Sequence, residues 1–206
     1  MNILLIDDHP MVNSGLAAIL EAEERFKVTG QVNTLDEAKN FIKEAALSKN
    51  IYPSLIILDI TLGDENGLDF IPFLRDFCIN NKMPVPPVLV CSVLEEPFRI
   101  QSALKMGAFG YISKTSSKNE LLEAIDTVLR GENYLSGKHT EKLKKSLGLY
   151  AKFTERESEI FSMIKEKKTN KQIAEMLGLN FRTVENHVSN IYFKTGAANK
   201  EELLKL

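Results

Sequence analysis

A chain of 206 residues with 44% apolar and 26% charged side chains can hold one large or two small globular domains and excludes a fibrous or disordered protein. Its net charge of −2 conceals an acidic front, with 12 Lys/Arg against 18 Asp/Glu in residues 1–130, and a mildly basic back, with 14 against 10 in residues 131–206. Two cysteines, no leader-like N-terminus and no apolar run near the ~20 residues of a membrane helix exclude a disulfide scaffold and predict a cytoplasmic protein without a membrane partner.

Asn2 to Ile6 is a short apolar run that ends in Asp7-Asp8 and reads as a strand. Pro10 suits the first turn of a helix, which Leu16, Ile19 and Leu20 furnish with an apolar face. Phe26 to Val32 alternates as a strand does, and Thr34-x-x-Glu37 is a capping box opening a helix to about Leu47. Leu55-Ile56-Ile57-Leu58 is an unbroken apolar run, as in a strand buried on both faces, and it stops at Asp59. A polar loop closing on Gly67 leads to a third helix through about Phe77. Pro84 to Pro87 precede the run Val88 to Ser92, and Pro97 opens a helix that Gly107 ends. Phe109 to Ser113 is a fifth strand, and Ser117-x-x-Glu120 caps a helix whose Leu121, Ile125, Val128 and Leu129 face inward before Gly131. Five strands alternating with five helices predict an α/β domain over residues 1–130, with a five-stranded, doubly wound parallel sheet of flavodoxin-like type.

Residues 131–152 lose this periodicity and read as a linker, with one helical turn around Thr140 to Leu147. Residues 153–206 are wholly helical in pattern and predict a small all-α domain. Thr154-x-x-Glu157 caps a helix with Ile160, Met163 and Ile164 inward. Lys171 to Leu177 is a short helix, Gly178 ends it, and Asn180 caps the next, from Phe181 to about Thr195. Asn199 to Leu206 forms a last short helix. Cys78 and Cys91 lie in apolar segments and read as buried free thiols.

The chemistry gathers at the carboxyl ends of the strands, where open parallel sheets bind their ligands. On Asp59 alone, a reactive carboxylate and a turn cap stay open as alternatives. Neighbouring first and third strands would bring Asp7, Asp8 and Asp59 together, and three clustered carboxylates call for a hard cation such as Mg²⁺. A carboxylate can accept a phosphoryl group as an acyl phosphate, with Ser92 and Lys114 supplying a hydroxyl and an ammonium to the new anion. His9, before Pro10, reads as a helix-start residue rather than a ligand.

Asp7-Asp8, Asp59 with Gly67 eight residues later, Ser92, and Tyr111 before Lys114 resemble the receiver domain of bacterial response regulators. The resemblance implies that Asp59 accepts phosphate from a sensor histidine kinase. It implies Mg²⁺ held by Asp8, Asp59 and the backbone carbonyl of Thr61, with Ser92 and Tyr111 as the switch pair and Lys114 pairing with the phosphate or, before transfer, with Asp59. Such a chain catalyses its own phosphoryl transfer and slow dephosphorylation and is not a metabolic enzyme. Two loop positions depart from the family pattern: Gly63 stands where proline is usual, and Thr115 follows Lys114 where proline or aspartate is common.

In the tail, Val184, Val188 and Ile191 share an inward stripe, while Arg182, Asn186 and Ser189 lie opposite, flanked by Glu185 and Asn190. Two short helices joined across Gly178 form a helix-turn-helix, whose second helix reads the DNA major groove, or else a plain helical bundle. Asn186 suits adenine, whereas Lys171, Arg182, Thr183 and Lys194 suit phosphates; Asn180, Glu185 and Asn190 complete the candidate face. His187 lies between stripe and face, where it packs or touches DNA. Thr154-Glu-Arg-Glu157, Ile173-Ala174-Glu175 and Thr183-Val-Glu-Asn-His187 resemble the LuxR-type DNA-binding domain. With the receiver, the match is to the NarL/FixJ class, which implies a transcription regulator that dimerises on double-stranded promoter DNA when phosphorylated. Glu185, where lysine is frequent, leaves the base sequence read open. A haloacid-dehalogenase-type phosphatase is disfavoured, because Thr61 stands where its general acid is needed. A regulator worked by partner proteins, with phosphorylation vestigial, is the remaining alternative.

Overall fold

The computed structural model describes residues 1–48, 51–150 and 152–206. The chain divides into two compact units, Met1–Glu95 with Ala103–His139, and Glu96–Ser102 with Thr140–Leu206. In the first, strands β1 (Asn2–Ile6), β2 (Lys27–Val32) and β3 (Leu55–Leu58) alternate with helices α1 (Pro10–Glu21) and α2 (Leu35–Leu47). A short antiparallel hairpin, β4 (Thr61–Leu62) and β5 (Glu65–Asn66), and one turn of 3₁₀ helix precede α3 (Phe70–Asn80). Then follow β6 (Val88–Ser92), α4 (Pro97–Met106), β7 (Gly110–Ser113) and α5 (Lys118–Leu129). The strands pair in parallel in the order β2-β1-β3-β6-β7, extended by a sixth strand, β8 (Tyr134–Leu135).

The apolar runs dictate this arrangement. β3, β6 and β7 are buried along their whole length, since helices cover both faces of the sheet. On one face Ile3, Leu5, Ile57, Leu89, Cys91 and Ile112 pack with Leu20, Leu121, Ile125 and Val128. Both cysteines are buried and free, and burial pushes the Cys91 thiol up to about 12. The helix starts follow the caps: Thr34 Oγ1 accepts from Glu37 N–H at 3.2 Å, and Ser117 Oγ accepts from Glu120 N–H at 3.2 Å. Only half of the first box forms, because the Glu37 carboxylate accepts from Asn33 N–H instead.

The expected sheet of five strands gains a strand. The segment expected to be irregular, residues 131–152, carries β8 and then α6 (Gly137–Tyr150); its residue 151 lies outside the described residues. A two-residue strand has no periodicity to betray it. It is defined by partners: Tyr134 N–H donates to Phe109 O at 2.9 Å, and its side chain is buried beside Ile125 and Val128 in the same core. Among the described residues no helix is long and apolar enough to cross a membrane.

Helices α7 (Glu155–Lys165), α8 (Asn170–Met176), α9 (Phe181–Thr195) and α10 (Lys200–Lys205) form the second core. Ile160, Phe161, Ile164, Ile173, Ala174, Val184, Ile191 and Leu203 are buried there, with Met163, Leu177 and Val188 partly so. Gly178, at φ +61°, turns the chain between α8 and α9 in a conformation that a Cβ would strain. The Thr154–Glu157 capping box is complete, with bonds of 3.2 and 2.7 Å. The same Glu157 carboxylate, 3% exposed, accepts from Lys194 Nζ at 2.5 Å and so pins α9 to the start of α7. Burial disfavours its charge, but the bonds from Lys194 and Thr154 outweigh burial and hold it below the ordinary value of 4.5. A lowered folded value means that this stabilisation is complete above pH 4.5 and is lost as pH falls through the lower folded value. Glu157→Gln should therefore destabilise the helical unit at neutral pH and flatten its acid limb below pH 4.5, read by urea unfolding across a pH series.

Candidate phosphoacceptor site and nucleic-acid interface

Parallel pairing of β1 with β3 sets Ile6 opposite Leu58, so the next residues, Asp7 and Asp59, leave adjacent strand ends side by side. Asp7 N–H is tied to Val32 O at 3.0 Å and Asp59 N–H to Ile6 O at 2.9 Å, which fixes both main chains. Each carboxylate residue is only 3% exposed. Lys114 follows β7, two strands away, where its own N–H donates to Ser92 O at 3.0 Å. From there its Nζ lies 2.6 Å from Asp7 Oδ2 and 2.6 Å from Asp59 Oδ2. Burial works against the ammonium, but the hydrogen bonds and charges of Asp59 and Asp7 prevail and raise its pKa above the ordinary 10.5. Lys114 is thus a fixed cation shared by two carboxylates.

The loop after β3 completes the site. Asp59 Oδ1 accepts from Ile60 N–H at 2.7 Å, leaving Oδ2 to Lys114. Gly67 N–H donates to Ile60 O at 2.6 Å, and a Cβ on Gly67 would lie 2.0 Å from the Asp59 carbonyl oxygen, so only glycine closes this loop. Thr61 begins the β4–β5 hairpin two residues beyond Asp59. Gly63 turns that hairpin at φ +61°, and its N–H donates to Asp8 Oδ2 at 2.9 Å. A proline here has no N–H and could not make that bond. His9 is the N-cap of α1, as its place before Pro10 predicts, yet its side chain makes no cap bond. Its Nδ1 lies 2.7 Å from Asp8 Oδ1 and 3.3 Å from Asp7 Oδ1 instead. Neither the Gly63 nor the His9 contact has a signal in sequence, since each depends on how a loop folds back.

Asp7, Asp8, His9 and Asp59 each offer one ligand atom, and these atoms lie within 4.8 Å of one another. Three carboxylates are the hard oxygen donors that Mg²⁺ takes, so the donor set fits that ion. Ser92 is fully buried at the end of β6, with its Oγ accepting from Leu94 N–H at 3.4 Å. Tyr111 is also fully buried, and its hydroxyl donates to the Leu94 carbonyl. The two candidate switch side chains therefore meet on one residue of the loop after β6.

In the helical unit, Lys171, Arg182, Glu185, Asn186 and Asn190 are exposed, and Thr183 and His187 are half-buried. Asn180 is exposed, but its Oδ1 accepts from Thr183 N–H at 2.8 Å and from Thr183 Oγ1 at 3.0 Å, so both residues serve the cap of α9. Lys194 turns to Glu157 rather than outward. Exposed Arg182, Asn186 and Asn190 thus form the open polar face of α9, with Glu185 among them.

Removing Lys114 would leave two buried carboxylates facing each other with no cation between them. Lys114→Met should destabilise the α/β unit by about 3–5 kcal/mol in urea unfolding at neutral pH. In the parent chain the raised lysine pKa keeps this pairing complete below pH 10.5, to be lost as pH rises through the higher folded value.

Comparison with known proteins agrees with both units. Residues 3–126 match the model of the response regulator receiver domain, and residues 151–206 match that of the bacterial regulatory proteins of the luxR family. The transcriptional regulatory protein LiaR of Bacillus subtilis is 31% identical over 209 residues, covering 98% of this chain and 94% of its own. MctR of Rhizobium johnstonii, also a transcriptional regulatory protein, is 32% identical over 213 residues, with coverage of 100% and 92%. Among solved structures, a complex of the two-component response regulator RcsB with DNA shares the fold at a TM-score of 0.64 and 22% identity, covering 100% of this chain and 96% of that one. The chain belongs to the two-component response regulators that join a receiver domain to a LuxR-type helix-turn-helix domain.

Proposed function

We propose that Asp59 is the phosphoacceptor of a DNA-binding regulator and that its loading controls dimerisation and promoter binding. The observation that carries this is the Asp59 carboxylate held at a strand end by Lys114 and Ile60 N–H, with Asp7 and Asp8 beside it. In the transfer, an Asp59 oxygen forms a bond to phosphorus as the N–P bond of a kinase phosphohistidine breaks. The imidazole leaves with the electron pair and takes up a proton. Asp8, Asp59 and the Thr61 carbonyl would hold Mg²⁺, with Asp7 adding charge to the pocket; when bound, the ion neutralises charge on the transferring oxygens. The acyl phosphate carries a charge near −2, and the Lys114 ammonium, already 2.6 Å from Asp59 Oδ2, is placed to pair with it.

Switching follows from Ser92. Turning its hydroxyl to the phosphoryl group gives up the 3.4 Å contact with Leu94 N–H, and the Leu94 carbonyl is what the Tyr111 hydroxyl holds. Phosphate charge is thereby exchanged for a rearranged loop, a two-state shift of the receiver. On the output side, Asn186 and Asn190 face bases, Arg182 and Lys171 face phosphates, and His187 stands at the edge of the contact. Asn180 and Thr183 present the α9 N-terminus to a phosphate. Lys194 contributes charge at closest from within its pair with Glu157. RcsB, of the same fold, is known as two dimers bound to two parallel DNAs, which supports a dimeric output and a duplex partner. A sensor histidine kinase is the donor that a receiver calls for, and the cytoplasm is where kinase, regulator and promoter meet.

The test is the affinity of the full chain for promoter fragments from its own upstream region, read by fluorescence anisotropy with Mg²⁺ and acetyl phosphate. Affinity should rise by about tenfold on loading, within the range of ordinary allosteric coupling. It should also fall steeply and log-linearly with salt. Affinity unmoved by the donor, or flat in salt, would contradict the reading.

A further inference from the structure

The sixth strand brings a residue to the switch that no receiver motif specifies. Tyr111 pairs with Leu135 in the β7–β8 ladder, and two residues beyond β8 the chain enters α6. In the first turn of α6, His139 is 2% exposed, and its N–H donates to Ser136 Oγ at 3.3 Å. Its ring meets the Tyr111 ring edge-on, with centroids 5.4 Å apart and planes at 87°. Its Nδ1 lies 3.3 Å from the Tyr111 carbonyl oxygen; that oxygen can only accept, so Nδ1 carries the proton there. Lys138, the preceding residue, pairs with Glu95 of the loop after β6 at 2.8 Å.

These contacts form one path. Ser92 Oγ holds Leu94 N–H, Leu94 O holds the Tyr111 hydroxyl, and Tyr111 O holds His139. We propose that His139 is a positioning residue for the switch: it clamps Tyr111 in the buried position and ties the start of α6 to it, so that a change at Ser92 loosens or seats the root of the segment leading to the helical domain. The proposal rests on the phosphoacceptor reading for its trigger, while the clamp itself exists without it. The geometry favours coupling over simple filling of space. An aromatic edge contact and a hydrogen bond to the same tyrosine restrict both its ring and its backbone: turning the ring outward removes the edge contact and leaves His139 held by the bond to Tyr111 O alone. β8 is only two residues long, so the His139 contacts add to the hold that the buried Tyr134 side chain gives this segment.

Hydrogen exchange of the full chain, read by mass spectrometry with and without acetyl phosphate and Mg²⁺, tests this. In the resting parent chain, residues 134–140 should be protected, and their exchange should change together with residues 93–96 as Asp59 loads. In His139→Ala, residues 134–140 should exchange about tenfold faster at rest and no longer respond to loading. In a Tyr111→Leu background, where the ring contact is gone and only the bond to the residue 111 carbonyl remains, His139→Ala should accelerate exchange by clearly less than the roughly tenfold expected in the parent, since coupled residues are non-additive. Full additivity of the two substitutions, or unchanged protection of residues 134–140 in His139→Ala, would overturn the proposal. Should that variant fail to fold, His139→Phe, which fills the space but cannot donate to Tyr111 O, carries the same comparison. Intact mass reports whether Asp59 is loaded. Absence of loading would sink the phosphoacceptor reading, while the resting-state exchange would still decide the clamp.

Discussion

One ammonium between two buried carboxylates is the constraint on which the α/β unit is organised. Lys114 reaches Asp7 and Asp59 at 2.6 Å each, and the pairing requires β1, β3 and β7 to end at one level of the sheet. The geometry leaves one positive charge against two negative ones, with Asp8 adjacent. Such a site is held together yet undercompensated, which is the electrostatic condition for taking up a cation. It also keeps an ammonium 2.6 Å from Asp59, where the proposed phosphoryl group would add charge. On the proposed reading, the same contact serves stability at rest and chemistry on loading.

Two loops connect that site to the rest of the chain. The hairpin after Asp59 is closed by Gly67 and touches Asp8 through Gly63 N–H, so one Asp8 oxygen is already engaged by a loop contact. The loop after β6 joins Ser92 to Tyr111 through Leu94, and Tyr111 to the beginning of α6 through His139. On the proposed reading, phosphorylation would act on hydrogen bonds that already exist rather than on a surface remote from them. In the helical unit the pair of buried Glu157 with half-buried Lys194 plays a related part, holding α9 against α7 so that its polar face is presented as a rigid element.

Much of this was legible in the sequence, for a physical reason. Apolar runs that stop at a carboxylate, hydroxyl or ammonium mark strand ends, so the sequence places Asp7, Asp59, Ser92 and Lys114 at one edge of the sheet. Helix starts at Thr34, Ser117, Thr154 and Asn180 were legible because a cap is a local interaction. What escaped was set by tertiary contact. β8 is two residues long and is defined by β7; α6 extends well past the single turn that its composition suggests. His9 was readable as a helix start but not as a neighbour of Asp8, and Lys194 was readable as a basic residue of α9 but not as the partner of a buried glutamate. His139 lies in the stretch read as a linker, where no periodicity points to burial.

The central claim is that Asp59, and not a neighbouring carboxylate, takes the phosphoryl group. The most direct measurement is intact-mass and peptide mass spectrometry of the full chain after incubation with acetyl phosphate and Mg²⁺, beside Asp59→Asn. The account predicts one added phosphoryl group on the peptide containing Asp59, removed by hydroxylamine as an acyl phosphate is, and no addition to the variant. Undiminished labelling of Asp59→Asn, or a label mapped to Asp7 or Asp8, would contradict it.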